Sequence, residues 1–200
     1  MKKGFTLLEL LIVIGILAIL STTMIIVINP AELLNKARDS QRISDLSTLK
    51  TAIVYYLTNA PTPSIGSDTY SYSVVTGTVC GGRTTTSTAL QLVDGTGWIP
   101  IAFSGLTGGS PIGSLPIDPN PTPLNPATGR ARYYVYVTNV SDLTFEILAN
   151  MESIYYSQGG DGGIEDKDGG VAGLTKIYEV GTKLGIITAS ATGCLIGDGT

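Results

Sequence analysis

The sequence predicts an α+β protein in which a long N-terminal helix, first hydrophobic and then amphipathic, packs on a small antiparallel β-sheet. Three observations lead to this fold class. An almost unbroken apolar run extends from Phe5 to Ile28, and residues 30–59 carry an apolar stripe at helical spacing. The second half of the chain contains short runs rich in β-branched and aromatic residues, separated by polar or glycine-rich segments.

The apolar run is long enough to cross a bilayer, because about 20 apolar residues suffice for a spanning helix. Lysines at positions 2 and 3 favour a cytoplasmic amino end, which puts the rest of the chain outside. A secretory signal would have a shorter apolar stretch and a small-residue cleavage site. A plain signal anchor has no use for Glu9, a carboxylate whose insertion into lipid costs about 2.5–3.5 kcal/mol.

The segment KKGFTLLELLIVIGILAIL, from Lys2 to Leu20, resembles the N-terminal signature of type IV pilins and their pseudopilin relatives. This resemblance implies that a membrane prepilin peptidase cuts between Gly4 and Phe5, and that the new Phe5 amine is methylated. It also implies that Glu9 is the acid of the motif. In a bundle of such helices, Glu9 of one subunit would pair with the Phe5 amine of another, because an unpaired charge in an apolar core is costly.

The resemblance also implies partners and a location. The partners would be copies of the chain itself and related pilins, the prepilin peptidase, the inner-membrane assembly machinery and membrane lipid. No specific nucleic acid is implied, and the formal net charge of −4 argues against a general phosphate-binding surface. The chain would be a single-pass protein of the inner (cytoplasmic) membrane with its head outside the cytoplasm, and later part of a cell-surface or periplasmic filament.

The predicted organisation has four parts. These are a leader peptide (1–4), a transmembrane and assembly helix (5–29), an amphipathic spine helix (30–59) and a β-rich head (60–200) that includes an acidic glycine-rich loop (159–170). Asn29 suits the N-cap of the spine helix, and Pro30 suits its first position. The apolar stripe predicted to pack on the sheet consists of Leu46, Leu49, Ile53 and Tyr56.

The charged residues of the spine helix are interpreted as its solvated opposite face. Contacts between neighbouring subunits are the alternative interpretation. The residues concerned are Arg38, Asp39, Arg42, Asp45 and Lys50. Glu32 and Lys36 are expected to form a favourable ion pair one helical turn apart.

The head is expected to be built from short strands and loops. The runs RARYYVYV (130–137) and LTFEILANM (143–151) flank a short polar connection and predict an antiparallel hairpin. KIYEVGTKLGIIT (176–188) is a candidate further strand, and DTYSYSVV (68–75) alternates as a strand does.

The segment LPIDPNPTPLNPATG (115–129) is proline-rich and is predicted to be irregular. It resembles the LP-x-DP turn before the C-terminal sheet of pilins and secretion pseudopilins. Trp98 is interpreted as a packing anchor for the spine helix. Tyr133, Tyr134 and Tyr136 are interpreted as packing residues of a strand, with a stacking platform for sugars or bases as the alternative.

The loop GGDGGIEDKDGG (159–170) is a candidate calcium site. Its carboxylates, from Asp161, Glu165, Asp166 and Asp168, are hard oxygen ligands, and its glycines allow the backbone to turn tightly. In place and composition it is similar to the glycine- and aspartate-rich calcium loop of several secretion pseudopilins. A solvated acidic loop without a metal is the alternative.

Cys80 and Cys194 are the two cysteines of the chain. An even pair in an oxidising, extracytoplasmic compartment suggests a disulfide.

The composition argues against an enzyme. The chain has no histidine, which excludes Ser-His-Asp and Cys-His catalytic arrangements and histidine-bearing zinc sites. The predicted function is a structural subunit of a type IV pilus-like filament (a fimbrium) or of a protein-secretion pseudopilus. The alternatives are a minor pilin with a binding head for adhesion or DNA uptake, and a membrane-anchored binding protein that does not polymerise.

Overall fold

The computed structural model describes residues 4–67, 70–74, 88–125, 130–157, 159–166 and 177–186. Two long helices come first in the chain, α1 (Leu7–Ile28) and α2 (Pro30–Asn59). The strands that follow are β1 (Ser71–Tyr72), β2 (Thr122–Asn125), β3 (Arg130–Arg132), β4 (Val135–Asn139), β5 (Thr144–Ala149) and β6 (Tyr178–Gly181), with short 3₁₀ helices at Phe103–Gly105 and Ile164–Asp166.

Asn29 separates the two helices. Its backbone is left-handed, with φ of 44°, and its side-chain oxygen accepts a hydrogen bond from the backbone N–H of Glu32 at 3.4 Å. Pro30 occupies the first turn of α2, where a missing N–H leaves no helical hydrogen bond unmade. The predicted N-cap and helix start are therefore confirmed.

In the described part of the chain, the strands form an antiparallel sheet of order β1-β4-β5-β6 and a separate β2-β3 ribbon. The pairing of β4 with β5 confirms the predicted hairpin, and β6 confirms the predicted later strand. The prediction that residues 115–129 are irregular was wrong at Thr122–Asn125, which pairs with β3. A two-stranded ribbon with an irregular register tolerates proline, since each strand is an edge that need not donate every N–H.

Helix α2 packs its predicted apolar stripe on one face of the sheet, which confirms the α+β class. The stripe residues are all buried, and Leu46, Leu49 and Ile53 are fully so. The sheet contributes Tyr134, Tyr136, Phe145, Ile147 and Ala149 to the same cluster. Trp98 is fully buried there and donates from Nε1 to the carbonyl of Pro116 at 3.0 Å, as expected of a packing residue.

The three tyrosines of residues 133–136 are packing residues. Tyr134 and Tyr136 lie in the cluster beneath α2, whereas Tyr133 lies on the opposite face of the sheet. There its ring makes an edge-to-face contact with Tyr72, with centroids 5.7 Å apart. The alternative of a stacking platform is wrong, because all three rings are buried and no ring face is open to a ligand.

The interpretation of the charges on α2 as a solvated face was wrong for Asp39 and Arg42, which are both fully buried. The Arg42 guanidinium donates to Asp39 at 2.7 Å and to both oxygens of Asp118 at 2.8 and 2.7 Å. It also lies 3.2 Å from Glu152. Charged side chains are buried when they are paired, and segments distant in sequence cover this side of α2.

The expected ion pair between Glu32 and Lys36 was also wrong. Both side chains contact Tyr155 instead: Glu32 accepts the Tyr155 N–H at 3.2 Å, and the Lys36 ammonium lies 4.5 Å from the centre of the Tyr155 ring. A distant loop therefore covers the first turns of α2.

Candidate functional site

The start of α1 is fixed by a reciprocal capping box between Thr6 and Glu9. The Thr6 hydroxyl accepts the backbone N–H of Glu9 at 3.2 Å, while the Glu9 carboxylate accepts the Thr6 N–H at 2.9 Å and its hydroxyl at 2.8 Å. These bonds satisfy backbone donors that every helix N-terminus leaves without a partner. Thr6 was missed in the sequence analysis, although the spacing Thr-x-x-Glu before an apolar run is a signal for this box.

Gly4 and Phe5 precede the cap and are not helical. Phe5 is 81% exposed, and a Cβ placed on Gly4 would have no atom within 4 Å. The fold of this chain therefore does not require glycine at position 4. The Gly4–Phe5 bond lies in non-helical backbone ahead of α1, and both residues are exposed.

Helix α1 exposes its apolar side chains from Leu7 to Met24. Residues Leu7–Met24 form a helix long and apolar enough to cross a membrane, and none of that window is buried within the chain. A continuous apolar surface of this size requires lipid or other apolar helices to cover it. Together with the N-terminal motif, it fits membrane anchoring.

Glu9 is an acid within this uncovered apolar surface. The Thr6 N–H and hydroxyl both donate to Oε2, and Oε1 has no hydrogen bond from the residues that the structure describes. An ionised carboxylate accepts at both oxygens. Glu9 can therefore cap its own helix and still accept a cation from a neighbouring chain.

The four carboxylates of the candidate calcium loop differ in their surroundings. Asp161 is exposed, whereas Glu165 is 2% exposed and accepts the Met151 N–H at 2.9 Å. Asp166 lies in a 3₁₀ helix, and Asp168 falls outside the described residues. Among the side chains that are described, no three His, Cys, Asp or Glu residues form a metal-binding group. Calcium binding by the whole loop stays a prediction.

The candidate disulfide cannot be placed in this geometry. Cys80 and Cys194 both lie outside the described residues.

Comparison with known proteins finds a match at the N-terminus. Residues 1–25 match the family model described as the prokaryotic N-terminal methylation motif, and these residues include Gly4, Phe5 and Glu9. No curated protein and no solved structure matches the chain. The chain carries the prepilin-type N-terminal motif of type IV pilins and pseudopilins.

Proposed function

We propose that this chain is a structural subunit of a type IV pilus-like or pseudopilus filament. A prepilin peptidase cuts it between Gly4 and Phe5, the Phe5 amine is methylated, and the mature subunit assembles through α1. The observation that carries the proposal is the methylation motif on a helix whose membrane-length apolar surface the rest of the chain leaves uncovered. Lipid covers that surface before assembly, and the α1 helices of other subunits cover it afterwards.

Glu9 selects the register in which a subunit docks. Cleavage creates a positive amine at Phe5, four residues before Glu9, and the Glu9 Oε1 atom is available to a second chain. Removing one partner of a buried ion pair typically costs about 3–5 kcal/mol, because the other charge is left uncompensated. A new subunit therefore gains most in the one position where its Phe5 amine meets the Glu9 of a neighbour.

The location follows from the same elements. The subunit spans the inner membrane once through α1, with the lysines at positions 2 and 3 on the cytoplasmic side and the head outside. The head has a packing role in the filament, and no catalytic role is proposed.

Two matched variants test the role of Glu9. Glu9→Gln removes the charge but keeps a residue that serves the capping box, whereas Thr6→Val removes the capping hydroxyl and keeps the charge. We expect both variants to be inserted and cleaved. Glu9→Gln should be strongly depleted from filaments, while Thr6→Val should assemble at close to the wild-type level. The measurement is the ratio of sheared-filament protein to mature membrane protein, after intact mass and N-terminal sequencing show equal processing.

Other results would contradict different parts of the proposal. Equal depletion of both variants would mean that Glu9 acts within its own helix. Normal assembly of Glu9→Gln would mean that Glu9 does not set the docking register, whereas absence of the wild-type chain from filaments would favour the non-polymerising anchor. A mature protein that keeps Met1, or that is cut after the apolar run, would contradict the proposed cleavage between Gly4 and Phe5.

A further inference from the structure

Residues 152–156 lie against the first turns of α2. The Asp39 carboxylate accepts the N–H groups of Glu152 at 2.9 Å and Ser153 at 2.7 Å. Glu32 accepts the N–H of Tyr155, whose ring lies beneath the Lys36 ammonium. Positions 32, 36 and 39 fall on one face of a helix. The segment is therefore fixed at the end of the head that adjoins α1.

The loop that follows holds Tyr155 in a tight backbone. The N–H groups of Gly162 and Gly163 both donate to the Tyr155 carbonyl, at 2.9 and 3.2 Å. A Cβ on Gly162 would lie 2.4 Å from Cε1 of the Tyr155 ring. Glycine at position 162 leaves room for the ring in this position, since a larger residue would require the ring to move.

Four apolar side chains are nevertheless exposed at this end of the head. Ile154 is 73% exposed and Tyr155 is 38% exposed on the loop, while Leu33 is 52% and Leu34 is 61% exposed on the first turns of α2. We call these four residues the proximal patch. The loop exposes an isoleucine where it packs on the first turns of α2, and two leucines of those turns are also exposed, so this end of the head has the character of an interaction surface.

The proximal patch follows the membrane span along the chain. Leu33 and Leu34 come five and six residues after Ile28, which is about 8–9 Å along a helix. The headgroup layer of a bilayer is of similar depth, about 5–8 Å on each side of the hydrocarbon core. Tyrosine and lysine are favoured in this layer, because each has an apolar body and a polar end. Tyr155 and Lys36 supply that chemistry here.

The acids beside the proximal patch do not oppose such a contact. Glu32 accepts a backbone N–H from the loop, and Asp39 and Glu152 are engaged by arginines and backbone N–H groups inside the protein. The charges of Asp39 and Glu152 are thus compensated by arginine within the head, while the Lys36 ammonium remains at the surface for a lipid phosphate.

We propose that the proximal patch rests on the headgroup layer of the membrane that α1 spans, so that the head docks on the bilayer before assembly. The inference rests on the membrane anchoring in the proposed function and does not require polymerisation. Lipid is the occupant because the patch continues the membrane span along the chain.

The chain offers a matched control at the opposite end of the head. Strand β4 runs away from the span: the Tyr134 hydroxyl donates to Asp45 in mid-α2, while the Tyr136 hydroxyl donates to the carbonyl of Ile65, beyond the end of α2. Val140 follows this strand and is 37% exposed. It is an exposed apolar position far from the proximal patch.

The test uses the full-length chain in phospholipid vesicles at a low protein-to-lipid ratio. Tryptophan replaces Ile154, Val140 or, as a marker for the span, Leu17, and the buried Trp98 contributes the same background in all three. We expect lipids that carry a quencher near the headgroup to remove much of the added emission in Ile154→Trp and little in Val140→Trp. Lipids with a quencher deep in the acyl chain should quench Leu17→Trp.

Each failure has a different meaning. Equal quenching of Ile154→Trp and Val140→Trp, with Leu17→Trp quenched, overturns head docking and leaves the anchoring intact. If Leu17→Trp is not quenched, both the membrane anchoring and the head docking are overturned. Shielding of Ile154→Trp that appears only as protein density rises shows that a second copy covers the proximal patch, which also overturns the proposal. The melting temperatures of the two head variants should match that of the wild type, because positions 154 and 140 are exposed.

Discussion

Arg42 and Asp118 form a buried two-point ion pair that joins α2 to the proline-rich segment before β2. Nε of Arg42 lies 2.8 Å from Oδ2 of Asp118, and Nη2 lies 2.7 Å from Oδ1. Burial by itself would lower the pKa of Arg42, but its bonds to Asp118 and Asp39 and the charge of Glu152 raise that pKa above its ordinary value. The guanidinium therefore stays charged, and the pair connects residues 76 positions apart in sequence.

Loss of Arg42 should strongly destabilise the head. Arg42→Met leaves the carboxylates of Asp118 and Asp39 buried without their cation, and breaking a buried pair in this way costs about 3–5 kcal/mol. Urea unfolding of the full-length protein in detergent measures the change, with Lys50→Met as a control at an exposed cation of α2. If the free energy of unfolding fell by the same small amount in both variants, the ion pair would not be what fixes the proline-rich segment to α2.

Acid should weaken the head through Glu152. Burial by itself raises the pKa of Glu152, but Arg38, Arg42, Asn120 and Arg132 together hold that pKa below its ordinary value of 4.5. A carboxylate with a lowered folded-state pKa stabilises the fold above its unfolded value, and this stabilisation is lost as pH falls below 4.5 through the folded value.

Glu152→Gln should therefore be less stable at neutral pH and should lose less stability on acidification than the wild type. Asp45 contributes with the opposite sign, because burial raises its pKa despite the hydrogen bond from Tyr134. Asp142→Asn, which removes an exposed ion pair with Lys183, is the control and should keep the wild-type pH slope. If the stability of Glu152→Gln and of the wild type fell equally with pH, Glu152 would not be the source of the acid sensitivity.

Gly4→Val should block processing without changing the fold. A side chain at position 4 meets no atom of the chain within 4 Å, so any effect arises in the peptidase, which must approach the backbone closely. Intact mass of membrane-extracted protein should show the uncut precursor. Gly15→Ala, also at a glycine with no neighbouring atom within 4 Å, should be cut normally. Efficient cleavage of Gly4→Val would show that the peptidase does not require glycine at position 4.

Glu165 should stabilise the head without calcium. Its carboxylate is buried and accepts the backbone N–H of Met151, just after β5, so Glu165→Ala removes this bond, and a hydrogen bond to a charged group contributes about 1.5–3 kcal/mol. The fall in melting temperature should be the same in calcium and in chelator. A fall seen only in calcium would instead make Glu165 a calcium ligand. Titration of the wild type tests the loop as a whole.

Local patterns were sufficient to predict much of this fold. The apolar run, the stripe from Leu46 to Tyr56 and the hairpin of β4 and β5 each follow from a periodicity within one short segment. Glu9 stood out for a similar reason, since a single acid in a membrane-length apolar run needs an explanation. The Thr6 cap was within reach of the same reasoning and was missed.

Contacts between distant segments could not be read from such patterns. Arg42 looks like a surface residue of an amphipathic helix, because nothing near it in sequence shows that Asp118 and Glu152 will cover it. The predicted ion pair between Glu32 and Lys36 was wrong for the same reason, because both side chains contact Tyr155, which is distant in sequence. Strand β2 was hidden by prolines that normally argue against a strand.

Asn29 has a practical consequence for work on this protein. Because its side chain caps α2 and no α1 side chain that the structure describes lies in the buried core, the head carries its own helix start, and we expect it to fold without the membrane helix. A truncated chain beginning at Asn29 would remove the lipophilic segment and keep the cap. We expect such a fragment to be water-soluble and to retain the Arg42 ion pairs and the proximal patch, which would suit it to crystallisation and binding assays.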